Sequence, residues 1–287
     1  MAPPAIKMYD QFVYDSVTTR IALQKEESQK PESERRQDIF YFLAEARDPD
    51  NPTRPAYSEA ELRAESNILI IAGSDTTAIS LSGTFFYLTG DPERCDKLAQ
   101  EILSTFGSVD EIVHGPKLSG CTYLKACIDE GMRLTPAGPS ETPREVLTGG
   151  IVIKGDYYPA GTIVGTAAWA NAHNRDVYGD PEVFRPERWI ADDKYGGGRE
   201  EVARLRHNFY PFSSGPGNCV GQKVAMAEMM IILARTLYSF EVRRAPGSML
   251  GCGKGFNDRD RYKLVDAFVA VREGPEVQFR KRVVKRG

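Results

Sequence analysis

The sequence predicts a mainly α fold of the α+β kind, with long helices and small peripheral β-sheets. Two observations carry this: segments with helical start and stop signals at 58–89, 92–105, 123–134 and 222–240, and short strand-like runs confined to 150–167 and 262–279. A third is composition, since 287 residues at 41% hydrophobic and 27% charged can bury a substantial core.

Residues 1–57 form a helical but irregular lead-in, with a polar segment from Gln24 to Arg36 and a proline-rich stretch from Asp48 to Pro55. Ser58 with Glu61 three residues on is a capping box, and it opens a helix that runs to Thr89 before Gly90-Asp91-Pro92. At ~1.5 Å per residue that helix spans roughly 45–50 Å. Pro92 to Thr105 is amphipathic, and Tyr123 to Leu134 is a further helix stopped by Pro136. Residues 150–167 change period and predict a small antiparallel meander. A loop-rich region, 171–221, leads into a helix from Gln222 to Phe240. The tail predicts a hairpin in which Tyr262 to Val271 pairs with Val277 to Phe279 across Glu273-Gly274-Pro275.

Thirty-seven basic residues against 40 acidic give a net charge of -3, which excludes a broad nucleic-acid surface. The basic tail, Arg280 to Arg286, is expected to be a solvated end, the alternative being a contact for an acidic partner. Five scattered cysteines without a Cys-x-x-Cys pair exclude a disulfide framework and a structural zinc site, and the three histidines form no His-x-x-x-His pair. Apolar runs such as Ile68 to Ala72 and Met229 to Ala234 fall short of the ~20 residues of a spanning helix. The opening Met-Ala-Pro-Pro carries no secretory signal, so the chain is expected to be soluble.

Four segments break their own local rules. Ala72-Gly73-Ser74-Asp75-Thr76-Thr77 sits inside the long helix, where glycine costs ~1 kcal/mol against alanine and Asp and Thr are poor formers. It is either a kinked helix–helix contact or a polar notch over a cofactor, with Asp75 and Thr76 handling protons. Glu130 and Arg133, at i and i+3, share a helix face, and a third charge from afar turns such a surface pair into a rigid anchor. Phe184-Arg185-Pro186-Glu187-Arg188-Trp189 is an ordered loop able to supply it through Arg188. Finally, Phe212-Ser213-Ser214-Gly215-Pro216-Gly217-Asn218-Cys219-Val220-Gly221 delivers Cys219 at a helix N-terminus. There the dipole and free N–H groups stabilise a thiolate, and Phe212 is close enough to shield it. Such a thiolate suits a soft metal tuned by N–H···S bonds, the alternative being a buried free cysteine.

In this order, the four segments resemble the cytochrome P450 superfamily of haem-thiolate monooxygenases, of the eukaryotic, fungal-like kind. Ala72 to Thr77 looks like its oxygen-activation motif, Glu130-x-x-Arg133 like its Glu-x-x-Arg motif, and Arg188 like the arginine completing that structural triad. Phe212 to Gly221 is similar to its Phe-x-x-Gly-x-x-x-Cys-x-Gly signature. The resemblance implies haem b, iron protoporphyrin IX, with Cys219 as the axial iron ligand and Phe212, Gly215, Gly221 and Gly73 around it. It also implies Arg144 on a haem propionate, a structural role for His173, and a substrate wall including Leu69, Ser80 and residues 137–142. The family usually places Arg or His where this chain has Gly217.

The implied reaction inserts one oxygen atom from O2 into a small apolar organic substrate. Cys219 pushes electron density onto the iron, while Asp75 and Thr76 relay protons. Electrons come from NADPH through a separate cytochrome P450 reductase, since this chain has no nucleotide-binding glycine loop. The central-helix motif begins at residue 72, so residues 58–287 are expected to be the C-terminal haem-binding part of the fold, without its N-terminal half. Family members of this kind sit at the endoplasmic reticulum membrane through an N-terminal anchor, which is not visible here. Two other readings stand beside this one: a truncated, non-catalytic fragment with weak or no haem binding, and a haem-thiolate isomerase or dehydratase. The intact Asp75-Thr76 pair counts against the last.

Overall fold

In the computed structural model, which describes residues 4–191, 197–253 and 260–283, the chain opens on helix α1 (Pro4–Glu27). Helix α2 (Ile39–Glu45) follows, capped by Asp38, whose carboxylate accepts the Tyr41 N–H at 2.9 Å and pairs with Arg20 at 2.7 Å. The proline-rich stretch forms a hairpin of β1 (Arg47–Asp48) and β2 (Asn51–Pro55). Helix α3 (Glu59–Gly90) then starts at the capping box: Glu61 Oε2 accepts the Ser58 N–H at 2.7 Å, and the Ser58 hydroxyl accepts the Glu61 N–H at 3.3 Å. Contacts divide the chain into two units, Met1–Ser74 and Asp75–Gly287. In the first, Val13, Val17 and Tyr41 are buried, Tyr9 donates to Asn67 at 2.7 Å, and Arg63 lies over the Tyr14 ring at 4.8 Å.

The second unit holds the C-terminal part of α3 and the main core. Pro92 occupies the first turn of α4 (Pro92–Thr105), where its missing N–H is harmless, and Asp91 accepts the Arg94 N–H at 3.1 Å. After α5 (Pro116–Ser119) comes α6 (Thr122–Leu134). The α6 N-terminus is closed by a carboxylate from α4: Glu101 accepts the N–H groups of Tyr123 and Leu124 at 2.9 and 2.8 Å. The strands β3 (Arg144–Glu145), β4 (Ile151–Ile153), β5 (Asp156–Tyr158) and β6 (Ile163–Val164) are followed by α7 (Ala168–Ala172), α8 (Arg175–Tyr178), α9 (Arg199–His207) and α10 (Gln222–Ser239). The chain ends in β7 (Phe240–Arg244), β8 (Leu264–Val265), β9 (Val271–Arg272) and β10 (Val277–Lys281). Leu98, Ile102, Leu124, Ile128 and Leu233 have no exposed surface and form the centre of the core, where α4, α6 and α10 meet.

Two sheet assignments differ from the sequence reading. The 150–167 segment is not one meander: β4 pairs with β5, but β6 pairs with β3, Arg144 opposite Val164. The Pro159–Gly161 turn, with Gly161 at φ +83°, returns the chain to Val146, which exchanges backbone bonds with Gly161 and Thr162. In the tail, β10 pairs with β7, Lys281 opposite Phe240, while Tyr262 to Val271 folds on itself as β8 against β9. β7 gives β10 a five-residue partner, reinforced by edge-on packing of Phe240 and Phe279. Of the basic tail, residues 284–286 lie outside the described residues.

Helices α3 and α6 approach so closely that two glycines are obligatory. A Cβ on Gly83 would lie 2.1 Å from Thr135 Oγ1, and one on Gly131 would lie 2.1 Å from Thr84 Oγ1. Replacing Gly131 with Ala forces these backbones apart. We expect a loss of about 1–3 kcal/mol in urea unfolding, partly recovered by adding Thr84→Ala. An unchanged midpoint for Gly131→Ala would show that the crossing has slack.

Candidate functional site

Glu130 lies on α6 with no exposed side-chain surface. Its Oε1 accepts from Arg133 Nη2 at 2.9 Å, Arg188 Nε at 3.0 Å and the Arg185 N–H at 2.9 Å. Its Oε2 accepts from Arg133 Nε and from the Trp189 indole N–H, both at 2.9 Å. Burial pushes the Glu130 carboxyl up, but the Arg133 charge and hydrogen bonds, Arg188 and the Arg185 N–H together hold it below its ordinary value. The two arginines spend their remaining donors mostly on backbone, and Arg188 Nη2 also donates to Asp180 Oδ1 at 3.2 Å. Arg133 donates to the carbonyls of Ala172, Pro181 and Val183 at 2.8, 2.7 and 3.3 Å. Arg188 donates to those of Tyr178, Asp180 and Val183 at 3.1, 3.3 and 3.3 Å. One carboxylate thus fastens the 172–189 loops to α6.

Next to this network, Glu187 accepts from Lys97 at 2.8 Å, Tyr123 Oη at 2.9 Å and Arg94 at 3.3 Å. Burial raises its carboxyl, yet these donors outweigh it and hold the group at about 2. Sequence reasoning missed Glu187 and Trp189 as bonding partners. The available signal was two more polar-capable side chains flanking Arg188 in a turn.

Cys219 is the exposed one of the five cysteines; the other four are buried. Its loop is tight: the Cys219 N–H donates to Phe212 O at 2.9 Å, Asn218 N–H to Gly215 O at 3.1 Å, and Gln222 N–H to Cys219 O at 3.3 Å as α10 begins. Ser213 and Gly215 both turn in the left-handed region, at φ +64° and +65°. The half-buried Phe212 packs on the core. A Cβ on Gly221 would meet Cys219 Sγ at 3.7 Å, so glycine keeps the space beside the sulfur clear. From β3, Arg144 reaches the loop, its Nη2 3.7 Å from where a Cβ of Gly217 would stand.

On α3, a Cβ on Gly73 would meet nothing within 4 Å. Asp75 is exposed and Thr76 half-buried, and the Ser80 hydroxyl donates to Thr76 O at 3.0 Å. Asp75 Oδ1 pairs with Arg272 Nη1 at 3.9 Å. Thr77 Oγ1 is buried without a hydrogen-bond partner. Leu69 is exposed and Ser80 buried, and the 137–142 loop is fixed by Ala270 N–H on Ala137 O at 2.8 Å and Trp169 N–H on Pro139 O at 2.9 Å. His173 stacks on Trp169 with centroids 4.2 Å apart, and burial pushes its pKa down. The predicted residues therefore assemble in three places: the Glu130–Arg133–Arg188 network, the cysteine loop with Arg144, and the α3 segment, where Asp75 is paired to Arg272.

Among the described residues no group of three or more His, Cys, Asp or Glu could hold a metal ion. A lone exposed thiol with cleared space and a neighbouring cation fits a metal that brings its remaining ligands with it, as iron does in a porphyrin carrying carboxylates.

The family profile for Cytochrome P450 matches residues 4–250. A cytochrome P450 monooxygenase of Gibberella fujikuroi, apf7, is 38% identical over 250 residues, 85% of this chain and 46% of that protein. Another, lcsN of Purpureocillium lilacinum, is 40% identical over 246 residues, 86% of this chain and 72% of that protein. A cytochrome P450 monooxygenase of Gibberella zeae is 37% identical over 254 residues, 86% of this chain and 56% of that protein. A crystal structure of a cytochrome P450 superposes with a TM-score of 0.74 at 22% identity, covering 95% of this chain and 56% of that one. The likeness to it is one of fold. The chain spans about half the length of two of these three curated relatives.

Removing one partner of the buried network leaves an uncompensated charge, so Arg133→Ala should lose about 3–5 kcal/mol in urea unfolding. A loss below 1 kcal/mol would reduce the network to a surface-type pair. Glu187 has a folded value of about 2 against an ordinary 4.5. Its contribution is therefore present above pH 4.5 and lost as pH falls towards 2. Glu187→Gln should flatten the stability–pH curve in that window, and an acid limb as steep as wild type would exclude this assignment.

Proposed function

The chain belongs to the cytochrome P450 family, and from that premise we propose that residues 58–287 form the haem-binding part of a haem-thiolate monooxygenase. The reaction takes one oxygen atom from O2 into a small apolar organic substrate while the other leaves as water, with two electrons from NADPH delivered by a separate reductase. The observation that carries this reading is Cys219, exposed at the start of α10 in a loop stiffened by its own backbone bonds.

Haem b, when bound, supplies an iron that activates O2, and a thiolate ligand increases its electron density. Cys219 Sγ is the ligand, with Gly221 keeping its flank open and Phe212 and Gly215 shaping the loop that presents it. Arg144 pairs with a carboxylate at the edge of the group, a task that Gly217 leaves to it. Gly73 permits close approach to α3. The Asp75 carboxylate and the Thr76 hydroxyl hold protons and pass them towards the oxygen side. Glu130, Arg133 and Arg188 touch no reactant; they hold α6 and the following loops in place. Leu69, Ser80 and the 137–142 loop contribute to the substrate wall.

Family members of this kind work at the endoplasmic reticulum membrane, and we place this protein there. Helix α3 is the one described helix long and apolar enough to cross a membrane, but it carries the proposed proton-handling residues and packs against α6 from Thr77 onward. We read it as the central helix of the fold. The second reading, a non-catalytic piece with weak or no haem binding, draws on the chain's covering only 46% of the apf7 protein.

The carbon-monoxide difference spectrum of the dithionite-reduced, haem-supplemented chain separates the two. A red-shifted Soret band that disappears in Cys219→Ala supports the monooxygenase; no haem uptake favours the second reading. Arg144→Ala should weaken haem affinity by roughly 10- to 100-fold in a titration, the range for one charge-assisted hydrogen bond. Thr76→Ala should keep consuming NADPH while forming less product, and unchanged coupling would remove Thr76 from the proton path.

A further inference from the structure

The segment that carries Arg272 is anchored on several sides. At its start the Tyr262 N–H donates to Tyr87 Oη on α3 at 3.2 Å, and the Tyr262 ring packs on Phe86 at 5.1 Å. The Tyr262 hydroxyl donates to Gly274 O at 2.7 Å, just past Arg272. Leu264 pairs with Arg272 across β8 and β9, and the Ala270 N–H donates to Ala137 O at 2.8 Å. At its far end Arg272 meets Asp75, also on α3. Tyr87 and Asp75 are ~18 Å apart along the helix at ~1.5 Å per residue, so the segment is tied to α3 at two separated points.

Ion pairs between exposed side chains usually contribute little, because two flexible chains must be ordered to form them. Here the backbone beneath both groups is already fixed, one in a helix interior and one in a paired strand. Asp75 is about four turns from either end of α3, too far for a helix terminus to orient it.

We propose that Arg272 is a positioning residue that fixes the orientation of the Asp75 carboxylate on α3. Its consequence for catalysis rests on the monooxygenase reading: Asp75 hands over a proton only from the orientation that Arg272 sets. Arg272 touches neither substrate nor haem in this role.

The test starts with urea unfolding of the full chain carrying Asp75→Asn, Arg272→Gln and both. Non-additivity of about two- to fivefold in the unfolding equilibrium constant is expected; strict additivity overturns the proposal, whatever the chain binds. In the haem-loaded chain, Arg272→Gln should lower product formed per NADPH consumed while leaving the substrate KM and the carbon-monoxide band unchanged. Arg272→Lys, which keeps the charge, should restore most of the coupling. Wild-type coupling in Arg272→Gln overturns the positioning role. A wild-type chain without the thiolate band would instead count against the monooxygenase reading, and the unfolding cycle would still decide the pair.

Discussion

A single buried carboxylate organises the second unit. Glu130 has five hydrogen-bond donors on its two oxygens, from Arg133, Arg188, the Arg185 backbone and the Trp189 indole. Taking a carboxylate and two guanidiniums out of water is unfavourable, and attraction repays it only when the geometry is good and the remaining donors are satisfied. Here both arginines turn their other N–H groups onto carbonyls of residues 172–183, so the network is satisfied. The end of α7, the one-turn helix α8 and the turns between them are thereby tied to α6. Trp189, Tyr178, Leu205 and Ala126 close an apolar cluster around it.

The packing of α3 follows a different logic along its length. From Thr77 onward it is largely buried and crosses α6 at the two Gly–Thr contacts, where each threonine hydroxyl turns back to its own helix at 2.8 and 2.7 Å. Residues 72–75 are exposed, and Gly73, Ser74 and Asp75 among them are poor helix formers. In the buried half, poor helix formers such as Gly83 and Thr84 are compensated by the close α6 contact they permit; in the exposed 72–75 stretch no such core contact offsets them.

Much of this was legible in the residues alone because the signals are local. The Ser58–Glu61 box, Pro92 in the first turn after Asp91 and the i, i+3 pair of Glu130 and Arg133 each need fewer than one helical turn of sequence to state. What stayed hidden needs distant chain. β10 pairs with β7 across more than thirty residues, and β3 lies outside the segment whose period suggested a meander. Glu187 gathers Arg94, Lys97 and Tyr123 from two helices about ninety and sixty residues upstream, and Arg272 finds Asp75 across nearly two hundred. No pattern within a window predicts such meetings; they follow from the tertiary fold.

The way Arg133 and Arg188 grip the loops has an evolutionary side. Their targets are main-chain oxygens of Ala172, Tyr178, Asp180, Pro181 and Val183. Every amino acid carries that oxygen, so most of the grip does not read side chains; the exceptions are Asp180, whose carboxylate also pairs with Arg188 at 3.2 Å, and Tyr178, whose ring lies under both guanidiniums. Ala172, Pro181 and Val183 can therefore be exchanged for other residues of tolerable size without loosening the loops, whereas neither arginine can be exchanged for lysine without giving up the multiple, planar donors that do the holding. Between 172 and 183 the positions held through their carbonyls alone are free to drift on a scaffold whose shape is dictated from outside them, whereas Tyr178 and Asp180 are held by what their side chains offer.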